Sequence, residues 1–154
     1  MILRPNTVDE LKYLHSFLKE RGVDLPVEPN LRMFAHGTWS SPRQINAVVA
    51  YNGFVGKTCC MHIAGDGSRW LDRQFLYAGF HYPFVICDLV ALFAPVPADN
   101  EQALKFNRKI GFHDVLTVKD GWATGISMHL LQMYRNECRW LKELNSEKLF
   151  PKAA

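Results

Sequence analysis

Apolar residues recur at helical spacing early in the chain. Over residues 7–21, Leu11, Leu14, Phe17 and Leu18 share one face, Lys12, Glu20 and Arg21 lie outside it, and Gly22 follows as a stop, which predicts an amphipathic helix. An extended run, residues 1–4, precedes it. Residues 23–41 carry Pro26, Pro29, Gly37 and Ser40-Ser41-Pro42, so this span reads as irregular, with at most a helical turn at 31–35. Such spans often cover a substrate cleft. Residues 45–51 and 55–63 read as strands joined by Asn52-Gly53, a hairpin signal. The turn Ala64-Gly65-Asp66-Gly67-Ser68 then leads into a helical stretch, 69–81, where Leu71, Phe75, Ala78 and Tyr82 keep helical spacing and Pro83 is the stop.

Residues 89–94 are a short, unbroken apolar run between breakers, which predicts a buried strand. A helix over 101–110 follows Asp99-Asn100 and ends at Gly111 as a left-handed cap. Strands at 113–119 and 126–134, around Asp120-Gly121, and a C-terminal helix over 136–150 with Trp140, Leu141 and Leu144 inward complete the pattern. The order β-α-loop-β-β-α-β-α-β-β-α describes a mixed α/β (α+β) domain without internal repeats or low-complexity tracts.

Composition narrows the class without naming an activity. The 154 residues, 48% apolar, suffice for one domain over 1–154 with a full core. Eighteen Lys+Arg against 15 Asp+Glu give +3, too small an excess for a protein that lives on nucleic acid. Cys59, Cys60, Cys87 and Cys138 form no CxxC pair, so no structural metal is expected, and reduced core thiols in a cytoplasmic protein are the reading. No signal peptide is visible at the start. The longest apolar stretch, 84–97, holds Asp88 and falls short of the roughly 20 residues that span a bilayer, so a soluble chain is expected.

Two places are suited to chemistry. In the turn 64–69, glycines let backbone N–H groups face an anion, a following helix N-terminus adds its dipole, and Arg69 and Arg73 add charge. The same residues also read as a plain strand-to-helix turn capped by Asp66 or Ser68. In 100–112, Ala103, Phe106 and Ile110 make a core stripe, Lys105, Arg108 and Lys109 share another face, and Asn107 sits between them; by periodicity alone such a basic trio is more often a solvated face than a ligand site. His62, Asp66, His36 and His113 are candidate bases, although for each the structural reading is the stronger; His62 alternates with Cys60 and Thr58 on one strand face.

Residues 100–112 resemble the motif Asn-x-x-Ala-x-x-x-(Tyr/Asn)-x-x-(Leu/Ile)-Gly-Phe of the GNAT superfamily of acyl-CoA-dependent N-acetyltransferases, with Asn100, Ala103, Gly111 and Phe112 matching. The opening Ile2-Leu3-Arg4-Pro5, the hairpin at 50–56 and the element order over nearly the whole chain resemble that superfamily too. His62-Ile63-Ala64-Gly65, Tyr82-Pro83-Phe84 and Cys138-Arg139-Trp140-Leu141 are similar to a subgroup found in phages and bacteria.

The resemblance implies a single GNAT-like domain: a central mixed, mostly antiparallel sheet flanked by helices, with a V-shaped splay between the strands at 55–63 and 89–94. Acetyl-CoA would lay its pantetheine arm along Met61 and Ile63. Its pyrophosphate would rest on Gly65, Gly67, Ser68, Arg69 and Trp70 near Arg73, with Asn100 on the pantetheine and Lys105 and Arg108 beside the 3′-phosphate. The implied function is N-acyl transfer to a primary amine, on a small molecule or a protein, by direct attack, with His62 and Asn107 at the catalytic positions and no metal. No nucleic-acid or membrane partner is implied, and the last strand and helix offer a homodimer surface. Two departures bear on this. The family's usual phosphate loop is replaced by a turn containing Asp66, and Asn107, standing where many members have a Tyr acid, cannot donate a proton as an acid. The alternative is a GNAT-fold protein with weak or no catalysis that acts by binding a host or partner protein.

Overall fold

The first helix begins where the sequence offers a reciprocal cap. In the computed structural model, which describes residues 1–67 and 70–141, α1 (Val8–Glu20) is opened by Thr7, whose hydroxyl accepts from Glu10 N while the Glu10 carboxylate accepts from Thr7 N. Gly22, at φ +82°, ends it, and Val23 N reaches back to Leu18 O. Leu14, Phe17 and Leu18 are buried as the periodicity requires, while Leu11 stays partly exposed.

The sheet has seven strands: β1 (Ile2–Leu3), β2 (Arg32–Thr38), β3 (Gln44–Val55), β4 (Thr58–Gly65), β5 (Ala91–Pro97), β6 (His113–Ala123) and β7 (Ile126–Tyr134), in the order β1-β2-β3-β4-β5-β7-β6. Neighbours are antiparallel except β4 and β5. Residues 32–38, expected to be irregular, are a strand. Met33, Phe34 and Ala35 are consecutive and all buried, because β2 is covered on both faces and the alternation that marks a half-exposed strand is missing.

Both hairpins turn later than their strongest dipeptides suggest. Val55 pairs with Thr58 across Gly56-Lys57, and Ala123 pairs with Ile126 across Thr124-Gly125. Gly53 (φ +59°) and Asp120 (φ +53°) lie in register shifts instead, where a bulge takes up the left-handed residue.

Three helical expectations are corrected. The helix expected from residue 69 is α2 (Arg73–His81), with Asp72 as its cap, so neither Asp66 nor Ser68 starts it and Leu71 lies outside it. Pro83 does not stop it: the chain runs on as a wider turn, Tyr82–Ile86, closed by Cys87 N to Tyr82 O. Pro83 has no N–H for the Gly79 carbonyl four residues back, and the buried Tyr51 hydroxyl donates to that carbonyl instead. Third, the helix expected from residue 136 is replaced, as far as the described residues go, by short 3₁₀ turns at Arg135–Glu137 and Arg139–Leu141. There Arg139 and Trp140 donate to the Lys109 and Ile110 carbonyls, which α3 (Glu101–Ile110) leaves unpaired at its end. The remainder of that expectation, including Leu144, lies outside the described residues.

α1 packs on one face of the sheet, where Leu14, Phe17 and Leu18 cluster with Met33, Ala35, Val48 and Ala50. On the other face Phe75, Phe80, Leu104 and Ile110 cluster with Val49, Tyr51, Leu92 and Leu131. Each fully buried side chain of this size contributes about 1.5–3 kcal/mol over an exposed one. No helix among the described residues is long and apolar enough to cross a membrane.

Candidate active site

β4 and β5 start as paired neighbours and then part. Their ladder is Thr58↔Ala91, Cys59↔Leu92 and Cys60↔Phe93, yet β4 continues to Gly65 and β5 to Pro97. Past Cys60 and Phe93 the facing edges have no strand partner, so backbone groups that a sheet would consume line a gap. Pro95 and Pro97 sit in that segment of β5, where a missing N–H costs least on an unpaired edge.

Two cavities open on the gap. One, of about 140 Å³, is lined by Met61, His62 and Ile63, by residues 94–97, by the segment 21–25 after α1, and by Trp122 of β6. The other, of about 320 Å³, is lined by Ala64, Gly65, Gly67, Trp70, Leu71, Gln102 and Phe106 among others. Arg21, Val23, Ile63, Asn100, Ala103 and Asn107 line both and form the throat between them. Met61, Ile63, Gly65, Gly67, Trp70, Asn100, His62 and Asn107 are thus brought together. An unpaired strand edge opening into a groove fits an extended chain of amides and methylenes such as pantetheine.

α3 forms the wall opposite β4. Asn100 caps it, its side-chain oxygen accepting from Ala103 N at 3.0 Å. One turn on, Asn107 donates its amide to Ala103 O at 2.8 Å. Lys105, Arg108 and Arg73 line neither cavity. Arg108 makes a two-pronged bond to Asp114 (2.9 and 2.7 Å) and so faces β6. Ser68 and Arg69 lie outside the described residues.

The turn at residues 64–67 is held from two sides. Trp70 is buried against Phe75 and Phe106, its indole N–H donates to Gly67 O at 3.0 Å, and its ring occupies the space a side chain at Gly65 would need. Asp66 is turned onto Arg21, with Nε–Oδ1 2.8 Å and Nη2–Oδ2 2.6 Å. That guanidinium holds the Asp66 carboxyl below its usual range. The N-terminus of α2 is filled by its own chain: Asp72 accepts from Phe75 N at 2.6 Å and stands 3.2 Å from His36 Nε2.

His62 projects on the α1 side of β4. Its Nε2 lies 2.8 Å from the Asn52 side-chain oxygen, which only accepts, so Nε2 carries the proton and Nδ1 the lone pair. Burial pushes its pKa down to about 4, so the ring is neutral near pH 7. The Cys59 thiol, buried on the opposite face, is pushed up to about 12 by the same cause and makes a poor nucleophile. Sequence reasoning missed Arg21 as a cleft residue, and reached Asp24 only as part of the span 23–41 read as a cleft cover. Only the stop at Gly22 hinted that the chain turns there toward the sheet.

At the level of sequence, no family model and no curated protein matches the chain. Solved structures do. A chimera of Vibrio cholerae spermidine N-acetyltransferase SpeG with hSSAT superposes with a TM-score of 0.69 at 13% identity, covering 93% of this chain and 99% of that one. The fold is that of the GNAT N-acetyltransferases. V. cholerae spermidine N-acetyltransferase in complex with CoA and spermine superposes with a TM-score of 0.60 at 13% identity, covering 86% and 78% of the two chains. A candidate phosphinothricin N-acetyltransferase gives 0.62 at 14%, covering 87% and 97%. Identity this low speaks for the fold alone.

Proposed function

We propose that the chain transfers an acetyl group from acetyl-CoA to a primary amine. The observation that carries this reading is the parting of β4 and β5 after three pairs, with Asn100, Ala103 and Asn107 on the facing wall. The donor's pantetheine would lie along residues 61–65, its carbonyl and amide groups meeting the unpaired edge, and its diphosphate would rest at Gly65, Gly67 and Trp70. The acceptor would enter from the side of Gly22, Asp24 and Trp122. A carboxylate and an indole face suit a small cationic amine, a class that includes the spermine bound by the V. cholerae enzyme.

In the reaction a neutral amine nitrogen bonds to the thioester carbon, the C–S bond breaks, and the ammonium proton passes to solvent. His62 stays neutral near pH 7, and its Nδ1 lone pair can accept a hydrogen bond from the incoming amine and orient it. Backbone N–H groups of the unpaired β4 edge are the candidate donors to the oxyanion. Asn107 supplies no acid, so the thiolate departs unprotonated.

A second reading is favoured by the state of Asn107 and His62. The amide of the first is spent within its helix, and the second is a weak base. On that reading the GNAT fold binds a partner protein and catalysis is slight. Calorimetry with acetyl-CoA tests the first reading, and no heat at millimolar ligand refutes it. Thiol release with a panel of diamines, lost on changing His62 or Asn100, excludes the second.

A further inference from the structure

Arg21 stands where the two cavities meet. Besides its two-pronged bond to Asp66, its guanidinium donates to Phe17 O at 2.8 Å and lies 3.4 Å from the Phe17 ring centroid. Asp66 sits between Gly65 and Gly67 in the donor turn, 45 residues along the chain. A carboxylate there repels a diphosphate, and a guanidinium that engages both of its oxygens offsets that charge and fixes its direction. Arg21 also leads directly into residues 22–25, which wall the smaller cavity, so one ion pair ties both ends of the cleft together.

We propose that Arg21 is a positioning residue for the acyl donor: it holds the Asp66 carboxylate off the diphosphate path. The proposal rests on the acetyl-CoA reading above. It is carried by the pairing geometry together with the place of Arg21 at the cleft and of Asp66 between two glycines that line it.

The test is a double-mutant cycle in CoA affinity, measured by calorimetry on the full chain as wild type, R21M, D66N and R21M/D66N, with a thermal melt of each. R21M is expected to weaken CoA about tenfold and D66N to change it less than about threefold; adding D66N to R21M should return the affinity to within about threefold of wild type. A double variant as weak as R21M overturns the proposal, because Arg21 then acts on the donor or the fold by itself. So does an R21M protein that binds CoA like wild type. Should R21M not fold, R21K keeps the stem over Phe17 and one charge but not the two-pronged bond, and its cycle with D66N is read in the same way. A wild-type chain that binds no CoA while folded brings down the donor reading, and this proposal with it.

Discussion

The bond from the Tyr51 hydroxyl to the Gly79 carbonyl permits a test of how the α2 segment tolerates proline. Tyr51 is wholly buried in the centre of β3, and the carbonyl it reaches is the one whose helical donor Pro83 removes. Tyr51→Phe deletes the hydroxyl and almost nothing else, leaving a buried carbonyl without that donor, a loss of about 1–3 kcal/mol. For a chain of this length each kcal/mol lowers the melting temperature by about 2–4 °C, so a fall of about 2–12 °C is expected by calorimetry or circular dichroism. Pro83→Ala restores an N–H four residues on. It carries its own cost for the lost ring, since Pro83 is fully buried, but in the Tyr51→Phe background that cost should shrink by about 1 kcal/mol or more. Strictly additive single and double variants, or a Tyr51→Phe protein melting within about 1 °C of wild type, would refute the reasoning.

Other expectations follow the same logic. A Cβ at Gly65 would lie 2.5 Å from Trp70 Cε2 and 2.9 Å from Ala47 Cβ, so Gly65→Ala should cost about 1–3 kcal/mol in urea unfolding and cost less once Trp70 is already alanine, with only the Ala47 contact left to relieve. His62 is neutral when folded down to about pH 4, whereas its unfolded-state value is 6.5. Between those values the unfolded chain binds the extra proton, so stability rises with pH across that window and is lost on acidification, by about 3 kcal/mol in all; His62→Gln should flatten that part of the pH–stability curve. Asn100→Ala removes the α3 cap and should lower stability by about 1 kcal/mol in thermal melts. Cys59, with its thiol pushed up to about 12, should resist iodoacetamide in the folded protein and react only on unfolding, as peptide mass mapping would show.

What was legible in the sequence depended on how local its cause is. α1 and α3 could be read almost to the residue, because the apolar spacing and Gly22 mark the first and Asn100 and Gly111 the second with signals that act within one turn. The GNAT-like order of elements, and with it the splay, was legible from residues 100–112 and the strands around them. β2 was not, since burial on both faces erases its alternation. Asn52-Gly53 and Asp120-Gly121 were read as turns because a left-handed residue serves a bulge as readily as a turn, and the choice between them is made by pairing with the next strand. In the cleft, the β4 residues came from motif position. Arg21 escaped because its partner, Asp66, is a contact of tertiary structure only. Arg108 reads as a cleft cation until Asp114, six residues on, folds back to claim it.

The three-pair ladder between β4 and β5 has a mechanical meaning as well. It is a seam: β1 to β4 form one leaf, β5, β7 and β6 another, and among the described residues the ladder pairs that stitch the leaves run from Thr58–Cys60 to Ala91–Phe93. Amides at the open end of the seam should exchange with solvent faster than those of β3, and a molecule lying in the gap would act as a stitch, slowing that exchange by bridging two leaves whose ladder pairs lie at one end of the gap.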